Sequence, residues 1–227
     1  MSYSVKEVFY SLQGEGFHSG RPAIFCRMSN CNLWTGREMD RENAICQFCD
    51  TDFIGTDGQN GGRFASAEAL CQHLLSFWPQ KNHQKFSLPL KGALKRASPF
   101  VVLTGGEPLL QVDDALILAL HQYQFEIAIE TNGTKHAPKG IDWVCMSPKA
   151  NAPILLESGD ELKLVYPQPE LLPEQVEHLN YQHFYLQPMD DADPNTQQNN
   201  LKQAIDYCLK HPKWQLSLQT HKLLGID

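Results

Sequence analysis

Short runs of β-branched and aromatic residues alternate with helical patterns along most of the chain, and that order leaves few folds open. The runs Pro22 to Met28, Phe100 to Thr104, Phe125 to Thr131, Trp143 to Ser147, Leu162 to Tyr166, Phe184 to Gln187 and Trp214 to Thr220 read as buried strands. Between them, Ser66 to Trp78, Leu109 to Gln124 and Asn195 to His211 repeat Leu, Ile and Ala at three- and four-residue spacing, as helices do. Strand followed by helix, repeated, predicts a largely parallel α/β architecture. A complete eight-stranded β/α barrel takes about 250 residues. This chain has 227 and spends Cys31 to Gly62 and residues 79–99 on connections, so the expectation is an incomplete β/α barrel in a single domain, 1–227.

With 42% hydrophobic and 20% charged residues the chain has the composition of a folded protein. Nineteen Lys and Arg against 26 Asp and Glu give a net charge of −7, which opposes direct binding of nucleic acid. No apolar run approaches the ~18 residues of a membrane span, and the start, MSYSVKEVFY, has no signal core, so the expected location is cytoplasmic. One stretch runs against the overall charge. Residues 79–99 contain Lys81, Lys85, Lys91, Lys95 and Arg96 and no acid, which reads as a solvated insertion or as a docking site for an acidic protein.

Seven cysteines are an odd number for a disulfide framework, and three crowd into a long connection as Cys31, fourteen residues, Cys46, two residues, Cys49. A Cys-x-x-Cys pair serves zinc sites, redox pairs and iron–sulfur clusters alike. Zinc wants a fourth ligand, which His18 or Cys26 could offer only by folding back. Three thiolates on a four-iron cubane would leave one iron open to a small molecule. After the strand at Phe100 comes Gly105-Gly106-Glu107-Pro108, where glycines let a ligand approach the backbone and the glutamate can accept from an ammonium. Cys26, Cys71, Cys145 and Cys208 fall in strand or helix patterns and read as small core residues, and Trp34, Phe48 and Phe53 as packing for the long loop.

Together the cysteine loop, with Phe48 before its last cysteine, and the GGEP turn resemble the radical S-adenosylmethionine (SAM) superfamily. Val8-Phe9-Tyr10-Ser11-Leu12-Gln13-Gly14-Glu15-Gly16, Glu130-Thr131-Asn132-Gly133, Ser147-Pro148-Lys149, Gln187-Pro188-Met189 and Leu216 to Lys222 are similar to the 7-carboxy-7-deazaguanine synthase family of 7-deazapurine and queuosine biosynthesis. Most of the superfamily has three residues between its first two cysteines; a subgroup of this family carries the long loop seen here. Nothing in the family's motifs matches residues 79–99.

The resemblance implies a radical SAM lyase that converts 6-carboxy-5,6,7,8-tetrahydropterin to 7-carboxy-7-deazaguanine with loss of ammonia, SAM being regenerated. It implies a 4Fe-4S cluster on Cys31, Cys46 and Cys49, and Mg²⁺ at Thr51. The SAM site would comprise Phe48, Cys49, Asp50, Gly106, Glu107, Ser147, Pro148, Lys149 and the segment Gln187, Pro188, Met189, Asp190. The pterin would meet Leu12, Gln13, Gly14, Glu15, Arg27, Thr104, Glu130, His221 and the terminal carboxylate of Asp227. Arg27 has its own rationale, since a guanidinium fork fits the substrate's carboxylate. The resemblance implies a second copy in a homodimer; apart from it, the basic charge of Lys81 to Arg96 suggests a docking site for an acidic flavodoxin or ferredoxin reductant. Other classes make other demands. An activase of a glycyl radical enzyme would need a polypeptide groove and no pterin site. A zinc-binding interaction module would ignore SAM, and an iron–sulfur electron carrier would fill every cluster position with protein.

Overall fold

A computed structural model describes residues 2–79 and 98–226, and in it nine strands form one continuous sheet. They are β1 (Tyr3–Leu12), β2 (Pro22–Met28), β3 (Gly62–Phe64), β4 (Phe100–Gly105), β5 (Glu126–Thr131), β6 (Trp143–Met146), β7 (Ser158–Tyr166), β8 (Asn180–Pro188) and β9 (Trp214–Leu216). Their order is β3-β1-β2-β4-β5-β6-β7-β8-β9, antiparallel at the β3-β1-β2 end and parallel from β2 to β9. The helices are α1 (Ala67–Leu75), α2 (Asp114–Gln122), α3 (Pro194–Lys210) and α4 (Thr220–Leu224).

Side-chain alternation divides the strands into two faces. Outward residues such as Ile24, Cys26, Val101, Leu103, Ile127 and Ile129 are buried under α1 and α2, and Leu162, Leu164, Phe184 and Leu186 lie in a second apolar cluster that takes in Ala204 and Tyr207 of α3. The inward face is closed on itself. In a flat sheet, β1 and β8 would lie roughly 30 Å apart at the usual strand spacing. Here Glu15, just after β1, bonds to Gln187 of β8, and Gly16 N–H donates to Ser217 beyond β9 at 2.9 Å. The sheet therefore curls, with β3 and β9 as its unjoined edges, into the incomplete barrel expected from the sequence.

Several boundaries differ from the sequence reading. The strand read from Leu162 begins at Ser158, and β1 and β3 went unread. The helix read from Leu109 starts at Asp114, because Asp113 accepts the Leu116 N–H as its cap. The strand read to Thr220 stops at Leu216, after which Ser217 N–H bonds to Leu186 O and the chain turns into α4. Residues 80–97, with Lys81 to Arg96, and Asp227 lie outside the described residues. Among those described, no helix is long and apolar enough to cross a membrane.

Candidate active site

The barrel interior changes character along the strands. Near the strands' N-terminal ends it is apolar, where Phe9, Phe25, Phe100, Val102 and Ala128 pack together and the rings of Phe9 and Phe25 stack at 5.0 Å. One inward position further on, Arg27, Thr104, Glu130, Cys145, Lys163 and Gln187 line a cavity of about 450 Å³ that opens at the C-terminal ends, where barrels of parallel strands keep their sites.

The cysteines reach this cavity because the long loop after β2 is folded. Trp34 packs edge-on against Phe53, both buried, and the Arg41 guanidinium lies 4.1 Å over the Trp34 ring. Arg41 also donates to the carbonyls of Gln47 and Cys49, at 2.8 and 3.0 Å, while Lys6 of β1 bonds to Ile54 O at 3.0 Å. Cys31, Cys46 and Cys49 are thereby brought to the wall of one cavity. The Cys46 thiol donates to the Cys49 sulfur, which holds Cys49 down at about 6 and pushes Cys46 up; burial pushes Cys31 up. Among the described residues no three His, Cys, Asp or Glu side chains converge as one ion requires. Three thiols on the wall of one cavity fit a cluster, in which each holds a different iron. Lys149 faces them, donating to Ser147 O and Oγ at 2.8 and 2.7 Å; loss of solvent lowers its pKa, against the pull of Cys46 and Cys49. A cation there favours thiolates.

Gly105 and Gly106 bring the end of β4 against the start of the cysteine loop, where Glu107 N–H donates to Asn30 O at 2.9 Å. Gly106 lines the cavity, but Glu107 and Pro148 do not. The Glu107 carboxylate is fully buried and accepts from Thr131 Oγ1 at 2.7 Å, Asn132 N–H at 2.8 Å and Leu109 N–H at 2.9 Å. Burial raises its pKa against those three bonds. It braces the turns after β4 and β5 and so fixes the glycine pair, where the sequence reading had it receiving a ligand's ammonium. Phe48, Asp50, Thr51, Ser147, Pro188, Met189 and Asp190 all line the same cavity.

More of the cavity wall is built by the β1–β2 loop and the last residues described. Thr220 N–H and Oγ1 donate to Gly14 O at 3.0 and 2.8 Å, and His221 stacks so close that a Cβ on Gly14 would sit 2.1 Å from His221 Nδ1. Gln13 donates to Glu130 at 3.0 Å, Thr104 to the other Glu130 oxygen at 3.2 Å, and Lys163 is paired with Glu15 at 2.5 Å. Arg27, on β2 opposite Glu7 of β1, gives its Nε to Glu7 at 2.7 Å while its guanidinium lines the cavity. Lys222 bridges Asp50 and Asp190 at 2.8 and 2.6 Å, tying α4 to the cysteine loop and to the end of β8.

Apart from Glu107, Pro148 and Asp227, the last outside the described residues, the cavity joins the two residue groups that the sequence suggested for two small molecules, Leu12 included. Sequence reasoning missed Lys163, Glu7, Gln219 and Lys222, and placed Cys145 in the core although it also lines the cavity. The signal for Lys163 was present: in Glu161-Leu162-Lys163-Leu164, charge and leucine alternate, which marks one polar and one apolar face of a strand.

No family model matches the chain. Full-length relatives do. The 7-carboxy-7-deazaguanine synthase of Bradyrhizobium diazoefficiens is 55% identical over 226 residues and that of Caulobacter vibrioides 54% over 228, each match covering all of both chains. Among solved structures, the crystal structure of QueE from Escherichia coli superposes with a TM-score of 0.68 at 26% identity, over 96% of this chain and 94% of that one. Fold, motifs and relatives together define the class: this is a radical SAM enzyme. Within that class, the chain belongs to the 7-carboxy-7-deazaguanine synthase family.

Proposed function

We propose that the cavity carries out the reaction the family is named for, forming 7-carboxy-7-deazaguanine from 6-carboxy-5,6,7,8-tetrahydropterin with loss of ammonia. The observation that carries this is the composition of one cavity: three thiols together with an amide, carboxylate and guanidinium set. Cys31, Cys46 and Cys49 would hold the cluster, and the segment Gln187 to Asp190 with Phe48, Ser147 and Gly106 would hold SAM. The bound cluster and SAM supply one-electron, hydrogen-abstracting chemistry, which the protein need not perform itself. Its own residues bind, orient and exclude water: Gln13, Glu15, Thr104, Glu130 and His221 offer hydrogen bonds to the pterin, over an apolar floor of Phe9 and Phe25. Mg²⁺ would sit at Thr51, where hydroxyl, carboxylate and water oxygens suit a hard cation. The direct test is anaerobic. Reconstituted with iron and sulfide and then reduced, the protein should give a 4Fe-4S paramagnetic resonance signal that shifts on adding SAM, and should convert the carboxypterin. A zinc-loaded protein, or a cluster blind to SAM, would refute the reading.

Arg27 is the proposed partner of the substrate carboxylate. With Nε fixed by Glu7, the guanidinium is preoriented, and a lysine cannot reproduce a planar two-point contact. Arg27→Lys is expected to raise the KM for the carboxypterin about 10- to 100-fold, the equivalent of about 1.5–3 kcal/mol for a charged hydrogen-bonded contact. The SAM-induced spectral shift should not change; steady-state kinetics with both ligands checks this.

A further proposal concerns partners. On the family resemblance the enzyme forms a homodimer in the cytoplasm, checked by sedimentation of the purified protein. An acidic flavodoxin or ferredoxin would dock at the basic stretch, so turnover with the protein donor should fall with salt while turnover with dithionite does not.

A further inference from the structure

Glu15 and Glu130 stand side by side at the pterin end of the cavity, and Arg27, the cation expected there, is bonded to Glu7. The balancing charge comes from the middle of β7. Leu162 and Leu164 turn outward into the apolar layer, so strand alternation sends Lys163 into the barrel. Its side chain is 7% exposed, with Nζ 2.5 Å from Glu15 Oε2 and 3.5 Å from Glu130 Oε1. The other Glu15 oxygen accepts from Gln187 Nε2 at 3.1 Å and Gln219 Nε2 at 3.0 Å. A carboxylate has about four acceptor sites. Three are taken by protein donors, and the residue still lines the cavity.

We propose that Lys163 is a positioning residue of the pterin site: its ammonium, clamped between Glu15 and Glu130, keeps Glu15 an anion whose remaining acceptor site meets the N–H edge of the pterin. The inference rests on the reading above that Glu15 faces substrate. A carboxyl group withdrawn from water tends to keep its proton, and a protonated Glu15 would present a donor where the pterin also presents donors. Burial indeed pushes Glu15 up, but attraction to Lys163 and its hydrogen bond, with Gln219 and His221 adding to them, hold the carboxyl at about 2. The charged and titratable groups around the pair are Glu130 of β5, Cys145 of β6, Glu161 of β7, His221 of α4 and Lys149 after β6, a second cation that repels Lys163. Because the folded-state value is depressed, the anion is present throughout the working range and is lost only as pH falls toward that value. Without Lys163 the burial effect is left unopposed by its main counterweight, so protonation moves to higher pH.

The experiment uses the full, reconstituted enzyme as wild type, Lys163→Met, Lys163→Arg and Glu15→Gln. It reads the SAM-induced spectral shift and the pH profile of kcat/KM for the carboxypterin, from about pH 5 to about pH 9. Lys163→Met should keep the spectral shift and bring into this window, at about pH 6, an acid limb that in the wild type lies below it, so that kcat/KM falls about 10-fold between about pH 8 and about pH 5 and recovers at alkaline pH. Lys163→Arg should restore the wild-type profile. A Lys163→Met profile parallel to wild type would overturn the proposal, since a merely structural lysine moves stability and not the limb. If Glu15→Gln leaves the pterin KM unchanged, the reading of Glu15 as substrate-facing fails on its own account. Should Lys163→Met not fold, the charge-balanced Lys163→Met with Glu15→Gln decides. A KM equal to that of Glu15→Gln alone supports action through Glu15, and a further increase overturns it.

Discussion

Replacing any one of Cys31, Cys46 and Cys49 with alanine is expected to abolish the reduced 4Fe-4S signal and to lower turnover of the carboxypterin below detection. The loss should be complete for each because no other described thiol is placed to substitute: Cys145 lines the cavity, but it is buried on β6, where burial and then Glu161 push its thiol well up. Cys26 and Cys71 are wholly buried in the outer apolar layer, and burial pushes both thiols up to about 12. Cys208 lies on α3, packed against the second apolar cluster. Cys71→Ala and Cys208→Ala should therefore retain cluster and turnover, with a stability loss of about 1 kcal/mol for the buried Cys71. Iron and sulfide content, the resonance spectrum and turnover measured on the five variants test the assignment together. A triad variant with wild-type iron content would overturn it, as would loss of the cluster in Cys71→Ala.

These thiols could be singled out from spacing alone, because Cys31, Cys46 and Cys49 share a loop too long and too rich in cysteine to be a plain connection. The parallel strands were legible for a similar reason, their apolar runs being bounded by clear turns. β1 was not, and its sequence shows why. Lys6 is buried between Val5 and Glu7, and a register shift in the pairing with β2 falls between those same two residues, so the alternation that marks a strand is broken. β3 has three residues and no periodicity to read. The motif gives Glu107 a ligand, and only the fold shows that its carboxylate is wholly buried off the cavity, bonded to Thr131, Asn132 and Leu109. In a sequence Lys163 looks like a member of a strand's polar face, with nothing to say that this face lines a cavity, and Arg41 looks like a surface charge. Their partners, Glu15 for the one and the Gln47 and Cys49 carbonyls for the other, are distant in sequence or backbone atoms, which residue identity does not announce.

The glycine pair gives the second large effect, for a reason that the sequence reading only half contained. Glycine was expected there so that a ligand could approach the backbone; the first thing to approach is the chain itself. A Cβ on Gly106 would lie 2.2 Å from Asn30 O and 2.9 Å from Cys31 Cβ, and one on Gly105, which has φ 143°, would lie 2.2 Å from Met28 O. The oxygens are backbone atoms of the segment that delivers the first cysteine and the Cys31 Cβ is fixed by that backbone, so no side-chain rotation relieves the clash. Gly106→Ala must push β4 and Asn30–Cys31 apart. Overpacking of this kind costs about 1–3 kcal/mol, and a displacement of about 1 Å at a reacting centre can cost about 100-fold in rate. The expected result is a folded protein with a lowered melting midpoint, substoichiometric iron and turnover reduced by about two orders of magnitude. Asn132→Ala, by contrast, removes the side-chain bonds to Asn32 at 3.1 Å and to Thr134 at 3.0 and 2.6 Å but leaves the backbone N–H that holds Glu107 and creates no clash, so stability should fall while the cluster is kept. Iron content and thermal denaturation of the two variants, measured together, check the contrast. If Gly106→Ala takes up a full cluster and turns over at the wild-type rate, the contact between β4 and the cysteine loop has slack, and close packing is not what positions Cys31.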